Sequence, residues 1–286
     1  MLRKLFIIIA MMVVGLSWLA SPTLAQTDAQ WVDGNQTVPK VVFRLDDVQD
    51  WYQAPSQIAV MEAFANYSVE GKNSPQSLSI GVIGCSFGDD ELHVKKIEEI
   101  MTNLGERGEV VSHSMTHEDF SAKTLEKQIR EFKDFKTVAD IYFPGKTVRT
   151  FIAPYNEYDE CTTVKAMKLT GYDILSAQCT PDFCYNAGDP SSTPAYLPAG
   201  ASTGGWTAPY KIQTANKIFA EIQAQIKSND NQNWSVVMMH PFEFTKGEDT
   251  EEVNPCAIET LKKVIEMCLD NGYELVTYTQ LVDSVR

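Results

Sequence analysis

The chain alternates short apolar runs with stretches of helical periodicity over most of its length, and this alternation limits its possible folds more than any other feature. A helical pattern separates most of the strand-like runs, which lie at residues 41–43, 78–83, 109–112, 146–152, 172–175, 234–239 and 273–278. Repeated strand-helix units predict a parallel sheet covered by helices. With about seven such units, the sequence favours an α/β fold built as a distorted (β/α) barrel over an open sheet.

The first 39 residues differ from the rest of the chain. Arg3 and Lys4 precede an apolar run at residues 5–20, and small residues at 21–25 offer a cleavage site. This pattern is typical of a secretory signal peptide over residues 1–25, and it predicts a secreted or cell-surface protein. An uncleaved N-terminal membrane anchor is the alternative. Residues 26–39 are polar and predict a linker, so the folded domain is expected to span residues 40–286.

Charge and cysteine content narrow the range of partners. Without residues 1–25 the chain has 22 basic and 38 acidic residues, a net charge of −16. Such a surface repels nucleic acid, so no nucleic-acid partner is expected, and no feature of the sequence predicts a protein partner. All six cysteines lie after residue 25. An even number in an oxidising compartment favours disulfides, but the sequence leaves their pairing open.

Residues 177–210 interrupt the strand-helix rhythm. They contain five of the thirteen prolines, four glycines and the close pair Cys179 and Cys184. This composition predicts an irregular insertion, because proline and glycine disfavour long regular elements. A disulfide-pinned excursion near the mouth of a site is one interpretation, and a surface loop without a role is the other.

Polar residues that can do chemistry follow several of the strand-like runs. Asp46 and Asp47 follow the first run, and both can serve one site only if the strand ends there, since adjacent strand residues face opposite sides. An ordinary turn is the alternative. His113 and His117 follow the run at 109–112, and on a helical turn their spacing of four would place both imidazoles on one face, as a divalent metal needs. His240 follows the run at 234–239.

A proline stands at the end of a further strand. Pro154 follows residues 151–153 and precedes Tyr155. A proline at this position stops the hydrogen-bond ladder, so that the next amide N–H groups can point into a site. An ordinary strand-terminating turn is again the alternative.

These four segments, in this order, resemble the motifs of the polysaccharide deacetylase family, the NodB-homology domain of carbohydrate esterase family four. The resemblance extends from about Val41 to the end of the chain. It implies the distorted (β/α) barrel of that family for residues 40–286. It also implies an exported, metal-dependent hydrolase that removes N-acetyl groups from an amino-sugar polysaccharide, with an N-acetylated glycan as its partner.

The resemblance further implies a role for each matched residue. The metal ligands would be Asp47, His113 and His117. Asp46 would be the catalytic base and His240 the general acid. The backbone N–H of Tyr155 would help to hold the oxyanion, and the substrate contacts would include Pro154 and Tyr155. Two imidazoles and a carboxylate suit one Zn²⁺ ion best, with Co²⁺, Ni²⁺ or Mn²⁺ as alternatives.

The sequence departs from the family pattern at two places. The arginine that orients the base in the family is Ile152 here, and the family's Asp-x-x-Asp-Trp motif is not recognisable after residues 171–173. Arg44 is two residues before Asp46 and therefore shares its face of the strand, so it is the candidate substitute, and Arg149 is the weaker one. The departures leave two alternatives open, a glycan-binding protein with weak turnover and a deacylase of small molecules.

Overall fold

The computed structural model describes residues 38–68, 75–177, 190–205, 211–228, 233–247 and 250–286. The predicted signal peptide, almost all of the predicted linker and the Cys179 and Cys184 pair lie outside these ranges. Within them, no helix has the length and apolar character needed to cross a membrane.

All strand pairs of the described sheet are parallel, in the order β6-β5-β4-β3-β2-β1-β8-β7, and β9 pairs with the start of β1. The strands are β1 Lys40–Val48, β2 Leu78–Val82, β3 Gly108–Ser112, β4 Thr150–Ile152, β5 Ile174–Ser176, β6 Ala195–Tyr196, β7 Ala201–Ser202, β8 Trp234–Met239 and β9 Glu274–Leu275. The sheet is curled and surrounded by helices, which confirms the predicted distorted (β/α) barrel class.

Seven α-helices in the described ranges connect or cover the strands. They are α1 Ala54–Ala65, α2 Glu91–Leu104, α3 Leu125–Tyr142, α4 Glu160–Thr170, α5 Ala215–Ser228, α6 Pro255–Asp270 and α7 Tyr278–Asp283. Their starts carry side-chain caps where the sequence provides them. The Asp90 carboxylate accepts the N–H groups of Leu92 and His93 at the start of α2, and Asn254 caps α6 ahead of a proline in its first turn.

The central strand β1 separates two apolar regions. Phe43, on one face, packs against Phe64 of α1, with ring centroids 5.3 Å apart, in the layer between sheet and helices. Val42, on the other face, belongs to a smaller cluster inside the curled sheet. Because strand residues alternate, Arg44 and Asp46 share the interior face with Val42. The interior therefore changes from apolar to charged as β1 approaches its carboxyl end.

Two strands of the sheet, of two residues each, lie within residues 177–210, the segment predicted as an irregular insertion. β6 pairs with β5, and β7 pairs with β8 at the opposite edge. Between them, the N–H of Ala199 donates to the carbonyl of Ala177, and the N–H of Gly200 donates to the carbonyl of Val236. The segment thus bridges both edges of the curled sheet. Short strands of two residues have too little periodicity to be predicted from sequence.

The predicted last strand, residues 273–278, is also shorter in the structure. β9 covers only Glu274 and Leu275, and α7 begins at Tyr278. Thr277 accepts the N–H of Gln280, whose side chain accepts the N–H of Thr277 in return. This capping box ends the extended segment and starts a helix.

The cysteines that the structure describes are free thiols: Cys85, Cys161 and Cys256 are exposed and Cys268 is buried. The predicted disulfides are therefore not found at these four positions. Burial raises the pKa of the Cys268 thiol to about 12. This thiol lies in the apolar layer on α6 and acts there as a small apolar side chain.

Candidate metal centre and active site

The side chains singled out in the sequence meet at one edge of the sheet. Parallel strands place all their carboxyl ends at the same edge. His113 follows β3, Pro154 follows β4 by two residues, and His240 follows β8, while the Asp46–Asp47 pair lies near the end of β1. Sheet topology thus brings together residues that are almost 200 positions apart.

A β-bulge places both carboxylates of β1 at this edge. Leu45 pairs with Ile80 and Val48 with Val82, so that Asp46 and Asp47 together stand opposite Gly81. Asp47 has a φ of 59°, in the left-handed region. The sequence led us to expect that the strand ends at the two acids. In the structure β1 continues past them to Val48. The extra residue breaks the alternation instead and turns both carboxylates toward one site.

Gly81 allows this bulge to lie close to its neighbours. A Cβ at this position would lie 3.2 Å from Cδ1 of Ile152 and 3.5 Å from both Cα of Asp46 and Cβ of His113. The contact with Ile152 would be tighter than most side-chain contacts, and the other two would be at ordinary van der Waals distance. The small residue on β2 therefore lets the bulge, β3 and β4 approach one another.

Asp47, His113 and His117 form a compact cluster of metal-ligand type. Oδ1 of Asp47 lies 3.1 Å from Nε2 of His113 and 2.9 Å from Nε2 of His117. The three ligand atoms lie within 4.8 Å of one another. His113 is almost fully buried, whereas Asp47 and His117 are about one-fifth exposed. These are the three residues predicted from the sequence as metal ligands, and two of them are partly accessible to solvent.

The two histidines reach Asp47 through an irregular turn and not through the helical turn considered in the sequence analysis. Ser114 and His117 both have positive φ, 66° and 53°. The Ser114 hydroxyl accepts the N–H of His117 at 2.9 Å and holds the turn. Such strained positions persist only where the surroundings fix them, and they cluster at functional sites.

Hydrogen bonding fixes the tautomer of His113. Its Nδ1 lies 3.0 Å from the carbonyl oxygen of Ile152, and a carbonyl only accepts, so Nδ1 carries the proton. Its Nε2 lies 3.1 Å from Oδ1 of Asp47, and a cation bound in the cluster would replace this contact and take the lone pair of Nε2. Metal-ligating histidines are commonly oriented in this way.

The charge state of Asp47 also suits a ligand. Burial opposes ionisation, but hydrogen bonds from His113 and His117 and the nearby charge of His113 hold the pKa of Asp47 well below its ordinary value. The carboxylate is therefore ionised at neutral pH.

A buried lysine stabilises the turn that carries His117. The ammonium of Lys123 pairs with Glu131 of α3, lies 2.9 Å from the Thr116 hydroxyl and 3.2 Å from a Glu118 carboxylate oxygen. The second carboxylate oxygen of Glu131 accepts the N–H of Met115 at 3.3 Å. Helix α3 thereby holds both the turn and the segment after it.

Arg44 forms an ion pair with Asp46 inside the curled sheet. Its Nη2 lies 3.0 Å from Oδ2 of Asp46, and both side chains are at most 3% exposed. Its Nη1 donates to the Ser176 hydroxyl at 2.8 Å, and that hydroxyl lies 2.7 Å from the hydroxyl of Tyr278. The buried Oδ1 of Asp46 has no hydrogen-bond partner in the described part of the chain. Arg44 thus holds Oδ2 of Asp46, the oxygen that also lies toward His240.

The other candidate arginine lies elsewhere. Arg149 precedes β4, at the amino-terminal end of the strands, where it pairs with Asp173 and Asp283 at 2.8 Å. Asp173 also pairs with Arg286. It is the last residue before the place where the family has its Asp-x-x-Asp-Trp motif. Neither residue reaches the carboxyl edge. Ile152, at the family's arginine position, is fully buried among apolar side chains.

The segment after β4 forms a single 3₁₀ turn, Pro154–Asn156, with Tyr155 at a φ of 55°. Pro154 is buried, whereas Tyr155 is 64% exposed and its ring lies 4.8 Å from that of His117. The N–H groups of Asn156 and Glu157 donate to carbonyls within this turn. The N–H of Tyr155 donates to no backbone carbonyl of the described residues.

His240 faces Asp46 from the opposite side of the site, with its Nε2 3.9 Å from Oδ2 of Asp46. Its Nδ1 lies 3.1 Å from Oε1 of Glu243, a carboxylate that is 3% exposed. This contact of Glu243 was not predicted from the sequence. Its signal was the spacing of three after His240 across Pro241, which starts a 3₁₀ turn and returns the chain toward the histidine.

Burial lowers the pKa of His240, but the hydrogen bond and charge of Glu243 and the charges of Asp46 and Asp47 outweigh it and raise the pKa to about 9. His240 is therefore protonated at neutral pH in the metal-free protein. An imidazolium at this position can donate a proton to a leaving group.

Comparison with known proteins gives matches of structure but not of sequence. No family model and no curated protein matches the chain. A family 4 acetyl xylan esterase from Clostridium thermocellum, in complex with a cobalt ion, has a TM-score of 0.53 and 16% identity over 85% of this chain and 89% of that chain. A Mycobacterium smegmatis protein assigned to the polysaccharide deacetylases has a TM-score of 0.60 and 14% identity over 88% and 94%.

A third similar structure is a carbohydrate esterase family 4 pseudoenzyme from Bacillus anthracis, with a TM-score of 0.52 and 13% identity over 87% of this chain and 66% of that chain. A mutant of that pseudoenzyme has restored enzymatic activity. At these identities the matches establish the fold. They confirm at that level the resemblance drawn from the motifs: the chain has the fold of the carbohydrate esterase family 4 polysaccharide deacetylases, as a divergent example.

Proposed function

We propose that this protein is an exported, metal-dependent hydrolase that removes N-acetyl groups from an amino-sugar polysaccharide. The observation that carries the proposal is that a candidate base, Asp46, lies beside a candidate metal cluster. A buried Asp46, ion-paired with Arg44, directly precedes Asp47 of the cluster that Asp47, His113 and His117 form. Amide hydrolysis needs an activated water and carbonyl, and it needs a proton for the leaving nitrogen. A carboxylate beside a metal cluster, faced by a protonated histidine, can supply both.

The three ligand residues fit a divalent cation. Their donor atoms converge, Nδ1 of His113 bonds to the carbonyl of Ile152 so that Nε2 faces the cluster, and Asp47 and His117 are partly exposed. Two imidazoles and a carboxylate suit Zn²⁺ best, and the cobalt ion of the Clostridium thermocellum structure makes Co²⁺ a natural alternative. When bound, the cation would act as a Lewis acid on a carbonyl oxygen and lower the pKa of a water.

The remaining roles belong to the side chains and backbone of this chain. Asp46 accepts a proton from the attacking water, and the contact with Arg44 holds its carboxylate in position. The N–H of Tyr155 donates to the oxyanion, and the exposed ring of Tyr155 offers a surface for a sugar above the buried Pro154. His240 protonates the departing nitrogen, because an amine is a poor leaving group without a proton.

The two departures from the family pattern do not leave the site incomplete. Arg44 contacts Asp46, although the family's arginine position holds Ile152, and Glu243 contacts His240 although no fourth motif is present. Loss of function gives no reason to retain both supports together with the base and acid. This favours the hydrolase over a glycan-binding protein with weak turnover, the alternative that the Bacillus anthracis pseudoenzyme illustrates.

Export is part of the proposal and rests on the sequence of residues 1–25 alone. The choice of an N-acetylated substrate rests on the family resemblance. The similar structures include a peptidoglycan N-acetylglucosamine deacetylase and an acetyl xylan esterase, so amides and esters both belong in the test.

The test is acetate release by the signal-free, zinc-loaded protein from N-acetylglucosamine oligomers, peptidoglycan, acetylated xylan and a small N-acetyl amine. We expect release from an amino-sugar polymer and none with Asp46→Asn. Release from xylan alone would make the protein an esterase, and release from the small amine alone would make it a small-molecule deacylase. Binding of oligomers without release from any substrate would identify a glycan-binding protein.

A further inference from the structure

Glu243 is held in place by contacts on every side. Pro241 begins a 3₁₀ turn, and the N–H of Glu243 donates to the carbonyl of His240 at 3.2 Å. This turn brings the Glu243 carboxylate back to the imidazole of the residue that starts it. The carboxylate is 3% exposed, so it is shielded from water and from screening by salt.

The bridging segment next to β7 supports this carboxylate from the other side. The Thr203 hydroxyl donates to Oε2 of Glu243. Thr203 is itself fixed, because its N–H donates to the carbonyl of Met238 at 2.9 Å. A Cβ at Gly204 would lie 2.4 Å from Oε1 of Glu243, so the backbone there approaches closely enough to exclude a side chain.

In the hydrogen bond between Glu243 and His240, the imidazole is the donor and the carboxylate the acceptor. A carboxylate accepts, so Nδ1 of His240 must carry a proton. The second nitrogen, Nε2, then faces Asp46 across the site. The hydrogen bond to Glu243 therefore sets both the orientation and the tautomer of the imidazole.

From these contacts we propose that Glu243 is a positioning residue for the general acid: it orients His240, keeps it protonated and so supplies the proton that the leaving group needs. This inference rests on the proposed hydrolase function. It assigns to a residue after β8 the support that the family resemblance led us to seek after residues 171–173.

The bonds and protons of the reaction balance with this assignment. A water oxygen bonds to the acetyl carbon and its proton passes to Asp46. The carbon–nitrogen bond then breaks, and its electron pair takes the proton from Nε2 of His240. Acetic acid, which releases its proton to solvent to become acetate, and a free amine are the products; Asp46 then loses its proton to solvent and His240 regains one from it. Glu243 keeps its contact with Nδ1 and stabilises the imidazolium that donates.

The electrostatic surroundings of His240 agree with this role. The groups that raise its pKa to about 9, against the effect of burial, are Glu243 in the turn and Asp46 and Asp47 on β1. Glu243 is the only one of these three that contacts Nδ1. Its removal should therefore lower the pKa by about 1 to 3 units, the usual effect of an adjacent opposite charge.

The test compares Glu243→Gln with Glu252→Gln, an exposed carboxylate that pairs with Lys246 nearby in the chain. Two quantities are measured. NMR titration of the metal-free proteins gives the pKa of His240, and steady-state kinetics of the zinc-loaded proteins gives kcat and KM. Glu243→Gln should lower the His240 pKa and reduce kcat about 10- to 100-fold with little change in KM. Glu252→Gln should change neither quantity.

A second pair of variants keeps the test interpretable if Glu243→Gln does not fold. Glu243→Asp keeps the charge and should retain most of the raised pKa, and Thr203→Val should lower both the pKa and kcat to a smaller extent than Glu243→Gln. An unchanged His240 pKa in folded Glu243→Gln would overturn the inference. Absence of acetate release from the wild type would refute the proposed hydrolase, while the titration would still report separately on the Glu243–His240 pair.

Discussion

At the scale of single residues, the site depends on a charge pair that sits where apolar packing would normally be found. Arg44 and Asp46 alternate with Phe43 and Leu45 on β1, so their side chains enter the interior while their neighbours pack under the helices. Taking two charges out of water is costly, and the pair persists because the guanidinium also bonds to Ser176. The benefit is a carboxylate whose position Arg44 fixes.

The Arg44–Asp46 pair predicts a large change in stability when one partner is removed. Arg44→Ala leaves a buried, uncompensated carboxylate, and we expect the free energy of unfolding to fall by about 3–5 kcal/mol. Urea denaturation of the metal-free protein measures this change. The double variant Arg44→Ala/Asp46→Ala should lose clearly less than the sum of the two single changes, because no orphaned charge remains.

Arg149→Ala is the matched control for this cycle, since Arg149 pairs with acids at the other end of the sheet. Its effect should add to that of Asp46→Ala without coupling. Additive behaviour of Arg44→Ala and Asp46→Ala would show that the ion pair contributes nothing to the fold.

At the scale of elements, the ligands stand on strained backbone that packing must hold in place. Asp47, Ser114, His117 and Tyr155 all have positive φ, and none of them is glycine. Helix α3 provides part of the constraint, because Glu131 and the buried Lys123 bind the turn between His113 and the helix. We therefore expect distant charges on α3 to affect the metal site without contacting it.

Lys123→Ala should weaken metal binding. Loss of the ammonium frees Thr116 and Glu118 and leaves the carboxylate of Glu131 uncompensated, so that the turn must be ordered when the ion binds. We expect the Zn²⁺ dissociation constant, measured by competition with a chromophoric chelator, to rise about 10-fold. Lys127→Ala, an exposed change on the first turn of α3, should leave it unaltered. Equal constants for both variants and the wild type would contradict this role of α3.

At the scale of the whole molecule, the stability of the metal-free protein should depend on pH through His240. Its folded-state pKa of about 9 lies above the ordinary value of 6.5, so its contribution to stability is complete below pH 6.5. That contribution is lost as the pH rises through about 9. The melting temperature of the metal-free wild type should therefore decline across this interval more steeply than that of His240→Gln. Parallel curves would contradict the raised pKa.

The fold was predictable because strand and helix periodicity extends over most of the chain, and because strand ends in a parallel sheet share one edge. Val42, Arg44 and Asp46 could be placed on one face by parity alone. The bulge at Asp47 could not, since one positive φ in an L-residue leaves no sequence signature. The two-residue strands β6 and β7 were likewise missed, because their pairing is set by the edges that they bridge.

In the candidate site, too, sequence patterns predicted some residues, and others depended on local backbone geometry. The candidate metal cluster of Asp47, His113 and His117 was predictable from motif order, whereas the contact of Glu243 with His240 was not, because the family pattern places the carboxylate partner elsewhere in the chain. A residue three positions away becomes a neighbour only when a 3₁₀ turn folds it back, which depends on Pro241 and on the contact with Thr203.

The most direct test of this account is a zinc titration of the chelator-treated protein, with acetate release from N-acetylglucosamine oligomers measured at each step. We predict that activity rises in proportion to zinc and reaches its plateau at one ion per chain. Asp47→Ala should remain inactive without binding the ion, and Asp46→Asn should bind one ion and remain inactive. Activity that is indifferent to zinc, or a fully loaded protein that releases no acetate, would contradict the metal-dependent hydrolase.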